Sequence, residues 1–76
     1  MNKIIEKRWE STTRYYCARL YTDLLGDVVL ESSWGGRFNR LGGTATLPVD
    51  TLEEGRAVLD QLSKERMARR YTEIKN

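Results

Sequence analysis

Short alternations of apolar and polar side chains run through the first two thirds of the chain. Residues 3–10 set Ile5 and Trp9 on one side and Glu6, Arg8 and Glu10 on the other, which predicts an edge strand. Ser11-Thr12-Thr13 is turn material. Arg14 to Thr22 predicts a stronger strand, because Tyr15, Tyr16, Cys17 and Tyr21 suit a pleated sheet. One of its faces carries Tyr16, Ala18, Leu20 and Thr22, the other Tyr15, Cys17, Arg19 and Tyr21. Both are partly apolar, so alternation leaves open which face meets the core. Asp23-Leu24-Leu25-Gly26-Asp27 predicts a hairpin connection, with Gly26 and Asp27 supplying the turn, and Val28 to Ser33 the return strand. The paired glycines in Trp34-Gly35-Gly36-Arg37 predict a break or bulge there, with pairing resumed over Phe38 to Arg40. Leu41-Gly42-Gly43 predicts another turn, and Thr44 to Val49 the last strand of the meander. Pro48 offers no ladder donor and belongs at a sheet edge or a strand end.

The period then changes from two to 3.6. Asp50 and Thr51 each offer a capping oxygen with a glutamate three residues on, Glu53 and Glu54 respectively. From there Leu52, Gly55, Val58, Leu59 and Leu62 form one stripe of a helix. Glycine costs about 1 kcal/mol against alanine within a helix, so Gly55 on the buried stripe predicts a close approach to the sheet. The helix is expected to end near Arg69 or Arg70, and Tyr71 to Ile74 alternates as a short final strand. The predicted architecture is α+β: an antiparallel meander with a single helix on one face and a short C-terminal strand, in one domain over residues 1–76.

Composition narrows the function classes. The 76 residues include no histidine and a single cysteine, Cys17, so a histidine-based triad, a cysteine zinc site and an internal disulfide are all excluded. The carboxylates lie where capping and turns already account for them. The expectation is a non-catalytic protein with no cofactor, in which Cys17 is inert packing. The longest apolar runs, such as Val28-Val29-Leu30, are too short to cross a bilayer, and Met1 to Glu6 contains no signal-like apolar region. A cytoplasmic protein without membrane partners is expected.

Lysine and arginine number 13 against 11 acids, a net charge of +2. That total does not announce nucleic acid, but its distribution is uneven. From Ser32 to Val49 the only charges are Arg37 and Arg40, while Lys64, Arg66, Arg69 and Arg70 face only Glu65 in their stretch of the helix. Within the first of these regions, Trp34-Gly35-Gly36-Arg37 can present an indole and a guanidinium together. The ring suits a sugar or base, the guanidinium forks onto phosphate, and glycine admits a close backbone. The structural alternative is a core tryptophan with a solvated arginine. Arg40 is a phosphate contact or a solvated hairpin residue; Asn39 is better read as a turn former. The group Lys64, Arg66, Arg69 and Arg70 is a second basic patch or a complement to the helix dipole. Arg14 and Arg19 are candidates to face a phosphate backbone from the sheet.

In its order and spacing the chain resembles the WGR domain family over residues 14–74. The resemblance rests on Arg14-Tyr15-Tyr16, the Leu-Leu-Gly-Asp hairpin at 24–27 and the Trp34 segment. It continues through Gly42-Gly43, the acid-capped helix start at Thr51–Gly55 and the closing Arg70-Tyr71-Thr72-Glu73. It implies an antiparallel sheet with one packed helix. WGR domains occur in DNA-break-sensing poly(ADP-ribose) polymerases and, in bacteria, as short standalone proteins or appended modules; in the polymerases the signature tryptophan packs against the sugar at a DNA end. Carried over, Trp34 becomes the DNA-facing ring and Arg37 a phosphate or partner contact. This chain departs from the signature by one residue, Gly36, which either displaces Arg37 or is absorbed by a bulge at Gly35-Gly36. Two readings follow. One is a nucleic-acid-binding module for duplex DNA, its ends or nicks, using Trp34, Gly35, Arg37, Arg40 and the other arginines. The other is a protein-interaction module, as a homo-oligomer or an adaptor to a DNA-processing partner.

Overall fold

The computed structural model describes residues 5–74. The chain forms β1 (Ile5–Glu10), β2 (Arg14–Thr22), β3 (Val28–Gly36), β4 (Gly42–Val49), α1 (Leu52–Ala68) and β5 (Thr72–Ile74). The strands make one antiparallel sheet in the order β4-β3-β2-β1-β5, with α1 packed on one face. This is the α+β architecture read from the pattern. Lys3 and Ile4, included in the expected first strand, lie outside the described residues.

The register decides which side of β2 is buried. Tyr16, Ala18 and Leu20 stand opposite Trp9, Lys7 and Ile5 on β1 and opposite Trp34, Ser32 and Leu30 on β3. This face meets the helix, and Trp9, Ala18, Leu20, Leu30 and Leu59 form the core. Gly55 is buried directly over Leu20, and a Cβ there would run into the Leu20 side chain. The glycine cost of the helix thus permits the close helix–sheet approach expected from its position in the stripe.

Two local expectations are corrected. β1 is an interior strand, because β5 pairs with it from the far side: Trp9 stands opposite Glu73 and is fully buried. Nor does β3 break at its glycines. Trp34, Gly35 and Gly36 pair one-to-one with Tyr16, Tyr15 and Arg14, so no bulge forms. Of the two arrangements open at Gly36, the chain takes the one that leaves Arg37 beyond the strand, its N–H donating to the Thr13 carbonyl at 2.8 Å. Phe38 to Arg40 form the β3–β4 connection instead of resuming the ladder, and Gly42 and Gly43 belong to β4. Asn39 does serve the turn, but through its side chain: Oδ1 accepts from the Leu41 N–H at 2.9 Å. Pro48 lies on β4, an edge strand, as a residue without a ladder donor must.

The helix is closed at both ends. Thr51 is its N-cap, with Oγ1 accepting from the Glu54 N–H at 3.1 Å, while the Glu54 carboxylate accepts from the Asp50 N–H at 3.2 Å. At the other end the Tyr71 N–H donates to the Arg66 carbonyl at 2.9 Å and the Arg70 N–H to the Met67 carbonyl at 3.1 Å. These are the paired bonds of a Schellman cap, with Arg70 in the left-handed position at φ 68°. The reversal returns the chain toward the sheet at Tyr71.

Candidate nucleic-acid interface

A ladder of aromatic rings crosses the helix-side face at one end of the sheet. Trp9, Tyr16 and Trp34 occupy facing positions on β1, β2 and β3. Trp9 and Tyr16 ring centroids lie 6.0 Å apart at a tilt of 55°, and Tyr16 and Trp34 lie 6.2 Å apart at 13°, nearly parallel. The residue facing Trp34 on β4 is Gly43, and a Cβ there would sit 3.0 Å from the indole Cζ2. The missing side chain lets the ring lie flat over β4.

Burial falls along this ladder because the helix runs out. α1 starts over Leu20 with Gly55, and by Arg66 it has reached Tyr16. The rung beyond has no helix above it. Trp34 accordingly keeps 39% of its surface exposed, neither sealed beneath the helix nor fully solvated.

Over this uncovered end lies an open groove of about 810 Å³. Its aromatic wall is Tyr16, Trp34 and Tyr71, its cations are Arg14, Arg66 and Arg69, and its rim includes the backbone of Gly35 and Gly36. Among the described residues no carboxylate lines it. The Arg66 guanidinium carbon is 4.5 Å from the centre of the Tyr16 ring and 5.5 Å from that of Tyr71, a cation–π clamp. Its Nε is buried without a hydrogen-bond partner among the described residues. The clamp holds a partly buried positive charge beside exposed aromatic surface, which suits a ligand with both a flat apolar part and an anionic part.

The other arginines divide by face and by partner. Arg40 lines a smaller recess of about 230 Å³ that shares Trp34 with the main groove. Arg37 points away: its Nη1 donates to the Ser11 carbonyl at 3.0 Å, and Nη2 lies 3.6 Å from the Glu10 carboxylate. It ties the β3–β4 connection to the β1–β2 turn. Arg19 lies on the opposite face of the sheet, 3.2 Å from Glu6 and 3.8 Å from Glu31. On that same face Arg8 donates to Glu10 at 2.8 Å and stacks over Tyr15. The hydrogen bond from Arg8 is the main cause holding the Glu10 carboxyl below its ordinary range, with the charges of Arg37 and Arg8 adding to it against partial desolvation. The same bond raises Arg8. Lys64 and Arg70 are exposed and outside the groove.

The structure therefore brings Trp34, Gly35, Arg14 and Arg69 into one groove, puts Arg40 beside it, and leaves Arg37, Arg19, Lys64 and Arg70 outside. Arg66, Tyr16 and Tyr71 join the groove without having stood out individually in the sequence. The signal for Tyr16 was its placement two residues after Arg14 on one strand face; for Arg66 it was the basic run. Searches against family models, curated proteins and solved structures found no match to this chain.

Proposed function

We propose that this protein is a non-catalytic nucleic-acid-binding module that holds a DNA end or nick in the groove between the last aromatic rung of the sheet and the C-terminal turn of the helix. The observation that carries this reading is the half-exposed Trp34 ring beside Arg14, Arg66 and Arg69 in a groove that no carboxylate of the described residues lines. A base or sugar would cover the indole, for which stacking is worth about 1–3 kcal/mol, while the arginines take the phosphates. The resemblance of residues 14–74 to WGR domains points to the same ligand class. It points to Trp34 for the contact; because Arg37 is tied to Ser11 and Glu10, the proposed phosphate role falls to the groove's own Arg14, Arg66 and Arg69.

Fluorescence anisotropy on blunt, nicked and single-stranded DNA at two salt concentrations tests it. Binding should favour blunt or nicked duplex over the uninterrupted interior of a long duplex, and should weaken steeply with salt as counterions are released. Absence of binding to any of these at about 100 μM protein in low salt overturns the reading, because non-specific binders usually do better.

A further inference from the structure

We propose that the free edge of β4 is a self-association surface, on which a second copy of this chain pairs antiparallel through its own β4 about a twofold axis at Ala45. The proposal stands on the sheet edge alone and does not depend on nucleic-acid binding.

The two edges of the sheet differ. β5 offers three residues, whereas β4 offers eight, Gly42–Val49, and none of the eight is charged. Natural edges of this length are normally blunted by lysine, bulges or a covering element. Here β4 pairs with β3 one-to-one from Val49 to Gly42, and most of its residues are exposed. Among the described residues the only blunting feature is Pro48, next to the end of the strand.

The hydrogen-bond phase fixes which groups are free. The Gly36 N–H donates to the Leu41 carbonyl at 3.0 Å, so in an antiparallel ladder Gly43, Ala45, Leu47 and Val49 also turn their backbone groups toward β3. Gly42, Thr44, Thr46 and Pro48 then turn theirs outward. Three of these carry an N–H, and Pro48 does not.

Side chains choose the register. Centred on Ala45, Thr44 faces Thr46 of the second copy and Gly42 faces Pro48, which loses one donor at each end and keeps about six hydrogen bonds. On the helix-side face Leu47 lies opposite Gly43 of the second copy. That glycine is the one beneath the Trp34 indole, so Leu47, 49% exposed, would cover the free edge of that ring. Exposed Leu41 would likewise face Val49. Every cross-strand pair is uncharged, and the threonine pairs are of a favourable type. Shifting the axis to Thr46 would place Pro48 in mid-ladder against Thr44 and bring Asp50 opposite Gly42; shifting it to Thr44 would bring Arg40 opposite Pro48. A twofold through an antiparallel pair stands perpendicular to the sheet, so both helices and both grooves lie on one side of a ten-stranded sheet.

An edge contact of this kind buries less than about 1,200 Å², which places it among weak, reversible interfaces. Sedimentation velocity on the full chain from about 10 μM to about 1 mM should show a concentration-dependent rise from 8.8 kDa toward twice that mass. Thr46→Lys, at an exposed position, should raise the dissociation constant at least about tenfold. Cross-linking reads the register in a Cys17→Ser background. Two copies of Ala45→Cys would meet with Cα atoms about 4.5 Å apart, within disulfide range, whereas two copies of Leu47→Cys would be about 13 Å apart along the strands. Ala45→Cys should therefore oxidise to a covalent dimer at least about tenfold faster. A monomer at every concentration overturns the proposal, as does equal oxidation of the two cysteine variants. So does a dimer that a folded Thr46→Lys leaves unchanged.

Discussion

Replacing Trp34 with alanine isolates the contribution of the exposed indole. The ring is 39% exposed, and a tryptophan presents up to about 250 Å², so a ligand that covers it removes about 100 Å² of mostly apolar surface from water. At about 25 cal/mol per Å² this amounts to about 2.5 kcal/mol, or roughly 60-fold in affinity. Base stacking on aromatic side chains covers a similar range, about 1–3 kcal/mol. Trp34→Ala should therefore raise the dissociation constant for blunt or nicked duplex by about 10- to 100-fold, while Trp34→Phe, which retains a flat ring, should stay within about threefold. Anisotropy titrations measure both, with circular dichroism confirming that each variant is folded. The wild-type chain carries its own reporter: Trp9 is fully buried, so fluorescence quenching on DNA addition should come from Trp34 and disappear in Trp34→Phe. A folded Trp34→Ala that binds within about threefold of wild type would refute the reasoning, because the stacking contribution would then be absent.

Arg66→Gln should shallow the slope of log affinity against log salt by about 0.9, the value of one lost phosphate contact, whereas Lys64→Gln and Arg19→Gln should leave the slope nearly unchanged. Arg70→Gly should stabilise the fold by about 1 kcal/mol, a rise of several degrees in melting temperature by calorimetry, because glycine occupies the left-handed cap position without Cβ strain. The Glu10 carboxyl is held below its unfolded range, so its ion pairing contributes stability above that range and loses it as pH falls through the folded value. Thermal melts from neutral to strongly acidic pH should show a wild-type loss that is smaller in Glu10→Gln, whose melting temperature should already be lower at neutral pH.

The helix was legible because its signals are local. Thr51 and Glu54 cap it within one turn, the apolar stripe repeats at the right spacing, and a glycine on that stripe has one efficient use. The glycines around Trp34 misled for the same reason that Gly55 informed. A glycine shows only that no side chain is present, and that absence serves a break and a close approach equally well. At Gly43 it makes room for the indole, and at Gly35 for the backbone of Leu41 and the ring of Tyr15. Deciding between these uses requires the facing strand, which is a register fact and not a local one. β5 posed a similar problem. Its three residues pair with β1 from the other end of the chain, and nothing near Trp9 announces a second neighbour. The groove shares that non-local origin. Arg66 belongs to it because the helix is long enough to reach Tyr16 and the Schellman reversal brings Tyr71 back beside the guanidinium.

Net charge is a poor guide to this protein because its charges are sorted by face. On the open side of the sheet, Glu6, Glu10 and Glu31 are matched to Arg8, Arg19 and Arg37 at 2.8 to 3.8 Å, so six charges there largely cancel. Glu53 and Glu54 are spent in the first turn of the helix, where the dipole favours them. Among the described residues the groove receives Arg14, Arg66 and Arg69 and no acid. The net +2 thus conceals a neutralised sheet face, an acidic helix start and a cationic helix end. The last lines the groove beside the exposed Trp34 ring. An anion approaching the groove encounters positive charge that is partly desolvated by Tyr16 and Tyr71, where each unit is screened less than on the open face. A weakly basic chain can therefore hold a strongly cationic site, provided its acids are bound elsewhere by the fold itself.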